Sequence, residues 1–400
     1  MSLSLRTLEW EENQLHELAA SELPEELALA IHARHGHRID VEFPSPRTRG
    51  HYRFKSRGCV GNLPVTPSLV VRVRPKVPVR SLFRMLEYAY DLDSFQIHEG
   101  HAGVGAIDEV YETLVSLLAR RILERVRKGL YRDYVEQQEA LPYVRGRILP
   151  RESLRSGGVA SPQLFCEYQE LTESVLDNQI LAWTLSLLHR FPLGREDVRE
   201  QLRRASRALV PMIEPRQVLP RDCVHRFYDR LNEDYRPMHA LCRFFLEQSG
   251  PALEGGDHGL LPFTLHMPTL FEAFVARWLQ RHLPEGMSLS VQHHADLEPT
   301  GSLHFKIDLV LTDERTGGVL AVLDTKYKDT REPAVADIQQ MVAYATRMRT
   351  HRAFLIYPSR SAQPVRLHVG DVRVSSLVFD LERRPEEAGE RLLQELRGLL

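Results

Sequence analysis

Two acidic side chains and one lysine occupy a stretch of sequence that otherwise has the apolar composition of buried strands. Asp308 lies in the run 305–311, and Asp324 and Lys326 lie in a second run, residues 322–326. Ionised groups in such surroundings are costly unless they bind a metal or pair with each other. The pattern therefore indicates a site that does chemistry.

The spacing of these residues predicts a β-hairpin. Both runs are rich in β-branched and apolar residues, and the glycine-containing polar segment 312–318 between them fits a turn. Side chains alternate along a strand, so Asp324 and Lys326 share one face, and Asp308 can face them from the neighbouring strand. The hairpin therefore brings the three side chains together.

The chemistry that suits these groups is metal-assisted hydrolysis. Asp308, Asp324 and the main-chain carbonyl of Thr325 form a set of hard oxygen ligands that suits Mg²⁺. A lysine next to the ion, here Lys326, can orient or help deprotonate a water molecule for phosphodiester hydrolysis. The alternative is a surface hairpin in which Lys326 and Lys328 only pair with nearby acids.

Two predicted helices flank the hairpin. Downstream, helical spacing puts Asp337, Gln340 and Tyr344 on one face. Upstream, residues 268–279 form an amphipathic pattern that carries one acid, Glu272, among apolar residues. Glu272 either approaches the metal or is an exposed or first-turn acid that the helix dipole favours.

The order of Asp308, Asp324, Thr325 and Lys326 resembles the motif of the PD-(D/E)xK nuclease superfamily. In that superfamily, a helix packed behind the hairpin often supplies a Gln or Lys to the site. The resemblance therefore implies catalytic roles for Asp308, Asp324 and Lys326, with Gln340 and Glu272 as further candidates.

An ordered series of short segments sharpens this resemblance to one family. The segments are residues 73–77 with 82–86, 144–148, 176–181, 270–275, the hairpin, and 337–344. Together they resemble McrC, the nuclease subunit of McrBC restriction systems that depend on DNA modification. Two positions depart from the superfamily pattern, because Ile307 stands where proline is usual and Gln339 stands where an aromatic residue is expected. Neither departure removes a metal ligand.

The resemblance implies a function and a set of partners. An McrC-like chain would be a Mg²⁺-dependent endonuclease that docks on a McrB-like AAA+ GTPase ring and stimulates it. The DNA would be double-stranded and contain a modified cytosine that the partner recognises, and cutting both strands would need a second copy of this chain. The sequence contains no G-x-x-x-x-G-K-[ST] segment, so the motor must be another protein.

Two alternatives to this function remain open. The chain could be a PD-(D/E)xK nuclease that is coupled to another motor or that acts in repair or RNA defence. It could instead be a non-catalytic activator or scaffold of the motor. The neighbouring genes would distinguish the first alternative, since a McrC-like subunit lies beside a gene for a GTPase with a P-loop. Substitution of Asp324 would distinguish the second, since only a catalytic subunit should lose DNA cleavage.

A one-signed basic stretch is the second candidate functional feature. Residues 43–86 contain ten Lys or Arg and no Asp or Glu, although the whole chain has a formal net charge of −2. The candidate contacts are Arg47, Arg49, Arg53, Lys55, Arg57, Arg72, Arg74 and Lys76, with Arg80 and Arg84 beyond them. Such a stretch suits DNA phosphates or an acidic partner surface. The alternative is a solvated β-rich face that acids from elsewhere balance, including Glu9, Glu11 and Glu12.

Length and patterning predict a multidomain α/β protein. The 400 residues exceed what one core usually serves. We expect a β-rich N-terminal domain (1–88) for partner or DNA docking, a helical middle domain (89–255), and a PD-(D/E)xK mixed-sheet nuclease domain (262–400), with a linker at 249–257. The apolar runs are too short for a membrane span, and the start lacks a signal-peptide profile, so we expect a cytoplasmic protein.

Overall fold

The structure is a computed structural model of the whole chain. It describes residues 6–92, 107–156, 163–249, 263–296, 298, 304–328, 332–359 and 365–400. The chain divides into two compact units, one formed by Met1–Val110 with Asp257–Leu400 and the other by Tyr111–Gly256. The α/β class is as predicted, whereas the division into three domains stays a prediction. The predicted linker lies outside the described residues except for Ser249.

The N-terminal part of the first unit is rich in strands, as expected. Its elements are β1 (Arg6–Glu11), β2 (Leu15–Ala19), α1 (Glu25–His35), β3 (Ile39–Glu42), β4 (His51–Ser56), β5 (Cys59–Thr66), β6 (Leu69–Arg74) and α2 (Val79–Ala89). Strands β2, β4 and β3 form one antiparallel sheet. A second sheet has the order β1-β6-β5-β10, in which β10 (Thr264–His266) comes from the C-terminal part. Both sequence segments of the first unit therefore contribute to this sheet.

The middle of the chain contains helices and one small sheet. The elements are α3 (Ile107–Lys128), β7 (Asp133–Leu141), β8 (Arg147–Ile148), α4 (Pro150–Ser156), β9 (Leu164–Thr172), α5 (Leu176–Leu188), α6 (Glu196–Leu209) and α7 (Tyr235–Ser249). The helices agree with the helical character expected of residues 89–255. Besides the expected helices, this part of the chain also contains strands: β7, β9 and β8 pair as a three-stranded sheet with a small core of Leu141, Cys166 and Tyr168.

A six-stranded mixed sheet forms the centre of the C-terminal part. Its elements are α8 (Met267–His282), β11 (Met287–Asp296), β12 (His304–Asp313), β13 (Val319–Thr325), α9 (Val335–Arg347), β14 (Arg352–Tyr357), β15 (Arg366–Val369), β16 (Val372–Val378) and α10 (Pro385–Leu399). The strand order is β11-β12-β13-β14-β16-β15. Strands β13, β14 and β16 run parallel, and the other neighbours are antiparallel. Such a mixed sheet with flanking helices is the predicted nuclease-like architecture.

The turn between β12 and β13 explains why the hairpin forms where the sequence predicts it. The Asp313 carboxylate accepts backbone N–H bonds from Arg315 (2.8 Å) and Thr316 (3.1 Å). Gly317 then adopts a φ of +68°, which glycine reaches at little steric cost. The turn fixes the register of the two strands and thereby the positions of the acids at their other ends.

Substitution of Gly389 tests how tightly α10 packs. The Cβ atom of an alanine at this position would overlap the ring of Trp278, which is fully buried. We expect Gly389→Ala to lower the free energy of unfolding by about 1–3 kcal/mol, as overpacking does. Gly398→Ala in the same helix is the matched control, because no atom lies within 4 Å of the added methyl. Chemical denaturation of both variants measures the difference, and equal stabilities would contradict the packing.

Within the described residues, no helix combines the length and apolar character needed to span a membrane.

Candidate active site

The hairpin brings the predicted acids together at its open end. Leu309 of β12 pairs with Leu323 of β13, and Asp308 and Asp324 each lie one residue further along. The Asp308 carboxylate accepts hydrogen bonds from the backbone N–H (3.2 Å) and the hydroxyl (3.4 Å) of Thr325. The two aspartates, Thr325 and Lys326 therefore share one small region, while their catalytic roles stay a prediction.

Burial makes the ionised form of both aspartates costly. The Asp324 side chain is almost fully buried, and its residue is 2% exposed. Burial, followed by the negative charge of Asp308, raises the pKa of Asp324 to about 6. Burial also raises the pKa of Asp308. A nearby cation therefore stabilises the ionised carboxylates more here than it would at an exposed pair of acids.

Lys326 places a positive charge directly beside these acids. Its Nζ lies 2.7 Å from Asp324 Oδ2 and 3.7 Å from Asp337 Oδ1, and it donates a hydrogen bond to Gln340 Oε1 (3.1 Å). Burial opposes the charged form, but the surrounding aspartates outweigh burial and raise the pKa of Lys326. The ammonium form is therefore favoured, which suits orienting a water molecule and stabilising negative charge.

Helix α9 supplies the residues that hold Lys326, as the predicted face requires. Gln340 accepts from Lys326 and donates through Nε2 to the Tyr344 hydroxyl (2.7 Å). The Tyr344 hydroxyl in turn donates to the carbonyl of Lys306 on β12 (3.1 Å). This chain of hydrogen bonds ties the lysine, the helix and the strand together.

Asp337 is a site residue to which the sequence analysis gave no role. It is 7% exposed and accepts hydrogen bonds from Lys328 Nζ at 3.0 and 3.2 Å, besides its ion pair with Lys326. The pairing of both lysines with acids matches the surface-hairpin alternative in part. Lys326 differs from that alternative, however, because only 15% of its side chain is exposed.

Glu272 approaches the two aspartates from helix α8. The first turn of α8 contains no acid, and Glu272 lies beyond it, so the interpretation of Glu272 as a first-turn acid was wrong. Gln292 of β11 donates a hydrogen bond to Glu272 through Nε2. Burial, followed by the charge of Asp308, raises the pKa of Glu272 to about 7. No local sequence pattern singled out Gln292, whose backbone has a left-handed φ of +53°.

The donor set at the hairpin fits a hard divalent cation. Asp308 and Asp324 offer carboxylate oxygens, and the carbonyl of Thr325 can complete three protein ligands for an ion that keeps several waters. Over the part of the chain that the structure describes, no group of three or more His, Cys, Asp or Glu could hold a metal. The proposed set contains only two such side chains. Its fit rests on the convergence of the buried Asp324 and the half-buried Asp308 at the end of the hairpin, where burial raises the pKa of both carboxyls.

The basic N-terminal stretch is largely paired with acids. Ion pairs join Arg53 to Glu17 (2.7 Å), Arg57 to Asp40, Arg72 to Glu9 (3.7 Å) and Asp108 (3.5 Å), and Arg74 to Glu9. The Lys76 ammonium lies 4.4 Å from the centre of the Tyr327 ring. Arg47, Arg49 and Lys55 are exposed. These ion pairs agree with the alternative of a solvated face that acids from elsewhere balance, and Glu9 is one of the acids expected there. Contacts of the basic stretch with DNA or a partner stay a prediction.

Replacing Glu272 should change how stability depends on pH. Since its pKa is raised from 4.5 to about 7 in the fold, the native state keeps a proton that the unfolded chain loses earlier. The stability from this group is full below the unfolded pKa and is lost as pH rises through the folded value. As pH rises from about 5 to about 8, the parent chain should therefore lose stability that the Glu272→Gln variant keeps, so the difference between them should shift in favour of the variant. Thermal unfolding in chelating buffer measures this, and parallel pH profiles would contradict it.

Comparison with known proteins identifies a consistent set of relatives. A sequence profile of the family described as "McrBC 5-methylcytosine restriction system component" matches residues 54–358. The type IV methyl-directed restriction enzyme EcoKMcrBC of Escherichia coli (strain K12) is 24% identical over 213 residues, which is 52% of this chain. The match spans 61% of that relative's length.

A solved structure shares the fold over almost the whole chain. It is the refined half-complex from a tetradecameric assembly of Thermococcus gammatolerans McrB AAA+ hexamers with bound McrC. The matched chain is covered completely and this chain to 99%, with a TM-score of 0.59 and 20% sequence identity. At this identity, the likeness shows the fold.

Proposed function

The chain belongs to the McrBC 5-methylcytosine restriction system component family, and from this premise we propose that it is the endonuclease subunit of such a system. It would cleave DNA by Mg²⁺-dependent hydrolysis of a phosphodiester bond, while docked on a McrB-like AAA+ GTPase ring. The observation that carries the proposal is the convergence of Asp308, Asp324 and Lys326 at one end of the hairpin.

Each residue of the site has a role in this proposal. Asp308, Asp324 and the Thr325 carbonyl would hold Mg²⁺, which when bound neutralises charge on the phosphate and makes water more acidic. Lys326 orients the attacking water molecule and stabilises the negative charge that develops on the phosphate. Glu272, with a pKa of about 7, suits a proton acceptor near neutral pH.

Helix α9 and strand β13 together hold Lys326 in position. A lysine side chain has several rotatable bonds, and holding one rotamer costs conformational entropy. Contacts with Asp324, Asp337 and Gln340 restrict that freedom before substrate binds. This arrangement is the preorganisation that positions a catalytic group at low cost in the reaction.

The chain would depend on its motor for activity. It has no P-loop motif of its own, and the related solved complex contains McrB AAA+ hexamers with bound McrC. We propose that this chain docks on a comparable ring and stimulates nucleotide hydrolysis there. One hairpin provides one site, so cutting both strands of a duplex would bring two copies of this chain together.

The dependence on the motor gives a direct test. We expect the isolated chain to cut plasmid DNA weakly or not at all, and to cut plasmid carrying 5-methylcytosine once a McrB-like GTPase and GTP are added. Gel analysis of methylated and unmethylated plasmid, with each component left out in turn, measures this. Strong cleavage of unmethylated plasmid by the isolated chain would contradict the dependence.

A further inference from the structure

The strands β11 and β12 continue as a two-stranded ribbon beyond the rest of the sheet. The pairing of β12 with β13 includes Leu309 but none of the residues before it. Residues 304–307 of β12 pair instead with residues 293–296 of β11 alone. The ribbon therefore starts directly at Asp308 and leads away from the candidate active site.

One face of this ribbon carries three exposed nitrogen-bearing side chains together with one exposed acid, Asp296, which is the Cα partner of His304. His294 is the Cα partner of Lys306, and His304 lies two residues before Lys306, so alternation places all three on the same face. All three residues are exposed. The rings of His294 and His304 have centroids 4.7 Å apart. We call His294, His304 and Lys306 the ribbon strip.

Hydrogen bonds from α9 hold the backbone beneath the ribbon strip. The Tyr344 hydroxyl donates to the carbonyl of Lys306 (3.1 Å), and Arg347 Nε donates to the carbonyl of Asp296 (2.7 Å). An isolated two-stranded ribbon is only marginally stable in water. These bonds therefore keep the strip in a fixed position relative to the helix that also holds Lys326.

The ribbon strip is continuous with the acids of the site. Lys306 precedes Asp308 by two residues, which is about 6–7 Å along a strand. Its charge reaches both Asp308 and Glu272, where it favours the ionised carboxylates. If the phosphate to be cleaved lies beside Asp308, a neighbouring phosphate of the same nucleic-acid strand is close enough to contact Lys306 and the two imidazoles.

We propose that the ribbon strip binds the sugar–phosphate backbone of duplex DNA next to the phosphodiester bond that is cleaved. The proposal rests on the proposed nuclease function and extends it to the substrate contact. Lysine and histidine side chains contact phosphates without reading sequence, so the strip sets position rather than specificity. That role agrees with recognition of the modified base by the partner.

The test compares two matched triple variants in the complex of full-length chain and GTPase partner. One variant is His294→Ala/His304→Ala/Lys306→Ala, with Asp296 kept. The control is Arg366→Ala/His368→Ala/Arg373→Ala on the other edge of the same sheet, where His368 is likewise the Cα partner of Arg373 and the residues are exposed. Cleavage of a methylated duplex is measured at several DNA and salt concentrations, with thermal unfolding of each variant as a check on folding.

The strip variant is expected to raise the KM for DNA by about tenfold or more, as loss of a hydrogen bond to a charged group does. The dependence of log KM on log salt should become shallower by about one, because fewer counterions are released. Lys306→Arg alone should stay close to the parent chain, and the control variant should match it.

Two results overturn the proposal, and they are distinguishable from failure of the nuclease assignment. If the strip variant keeps the parent KM and salt dependence, or if the control variant loses as much, then the strip does not bind DNA. In either case, Asp324→Ala would still abolish cleavage. If the parent complex does not cut, or if Asp324→Ala cuts normally, the proposed function itself fails and the strip proposal fails with it.

Discussion

Asp324→Ala is expected to lower the rate of DNA cleavage by roughly a thousandfold or more, because metal ions contribute several kcal/mol to such reactions and each 1.4 kcal/mol is tenfold. The variant loses one of two carboxylates in the proposed ligand set and also the nearer of the two ion-pair partners of Lys326. Stimulation of the GTPase should persist, since Asp324 is only 2% exposed and offers almost no surface to a docked partner. Cleavage and GTP hydrolysis are measured on the same preparation.

A control aspartate separates catalysis from general effects of charge. Asp371 is exposed in the turn between β15 and β16, and Asp371→Ala should cleave like the parent chain. We also expect Asp324→Ala to remain folded, because burial raises the pKa of this carboxyl and its charged form therefore costs stability. Unchanged cleavage by Asp324→Ala would leave only the activator or scaffold alternative.

Lys326→Ala is the second large effect that we expect. Loss of a positioned proton-transfer or orienting group typically costs about 10²–10⁴ in rate. Because Lys326 is not one of the proposed metal ligands, raising the Mg²⁺ concentration should not restore the rate. Single-turnover cleavage over a series of Mg²⁺ concentrations measures this.

Lys328 provides the matched control for Lys326. It lies two residues away, also pairs with Asp337, and has a side chain that is 48% exposed. We expect Lys328→Ala to lose much less activity than Lys326→Ala. Recovery of Lys326→Ala at high Mg²⁺ would instead indicate that the lysine supports metal binding, and the assigned role would be wrong.

The hairpin could be predicted from the sequence because its signal is local. Two runs rich in β-branched and apolar residues, with a glycine-containing turn between them, are enough to predict two neighbouring strands. The face shared by Asp337, Gln340 and Tyr344 was equally local, since helical periodicity alone defines it. The structure agrees with these predictions because local preference and tertiary packing favour the same conformation there.

Contacts that depend on tertiary packing could not be predicted in the same way. The bond between Gln292 and Glu272 joins a strand to a helix, and it involves a left-handed backbone that no local pattern announces. The double pairing of Asp337 with two lysines likewise needs the packed helix. The middle sheet was missed because β7 is mostly polar, as is common in a strand with little core behind it.

The basic stretch shows the limit of reading charge along a sequence. No acid lies near these basic residues along the sequence, but in the sheets acids from β1, β2 and β3 lie opposite several of them. Arg53 meets Glu17, for instance, because β2 and β4 are neighbours in a sheet. Cross-strand pairing of opposite charges is a common stabilising device, so a one-signed stretch predicts a binding surface only when the sheet order is known.

The central claim is that a divalent ion binds between Asp308 and Asp324 beside Lys326. Crystals of the full-length chain grown with Mn²⁺ in place of Mg²⁺, measured at the manganese absorption edge, test this claim most directly. We predict an anomalous difference peak in contact with both carboxylates and the Thr325 carbonyl, and its loss in Asp324→Ala. A peak elsewhere in the parent chain, with none at the hairpin, would contradict the account.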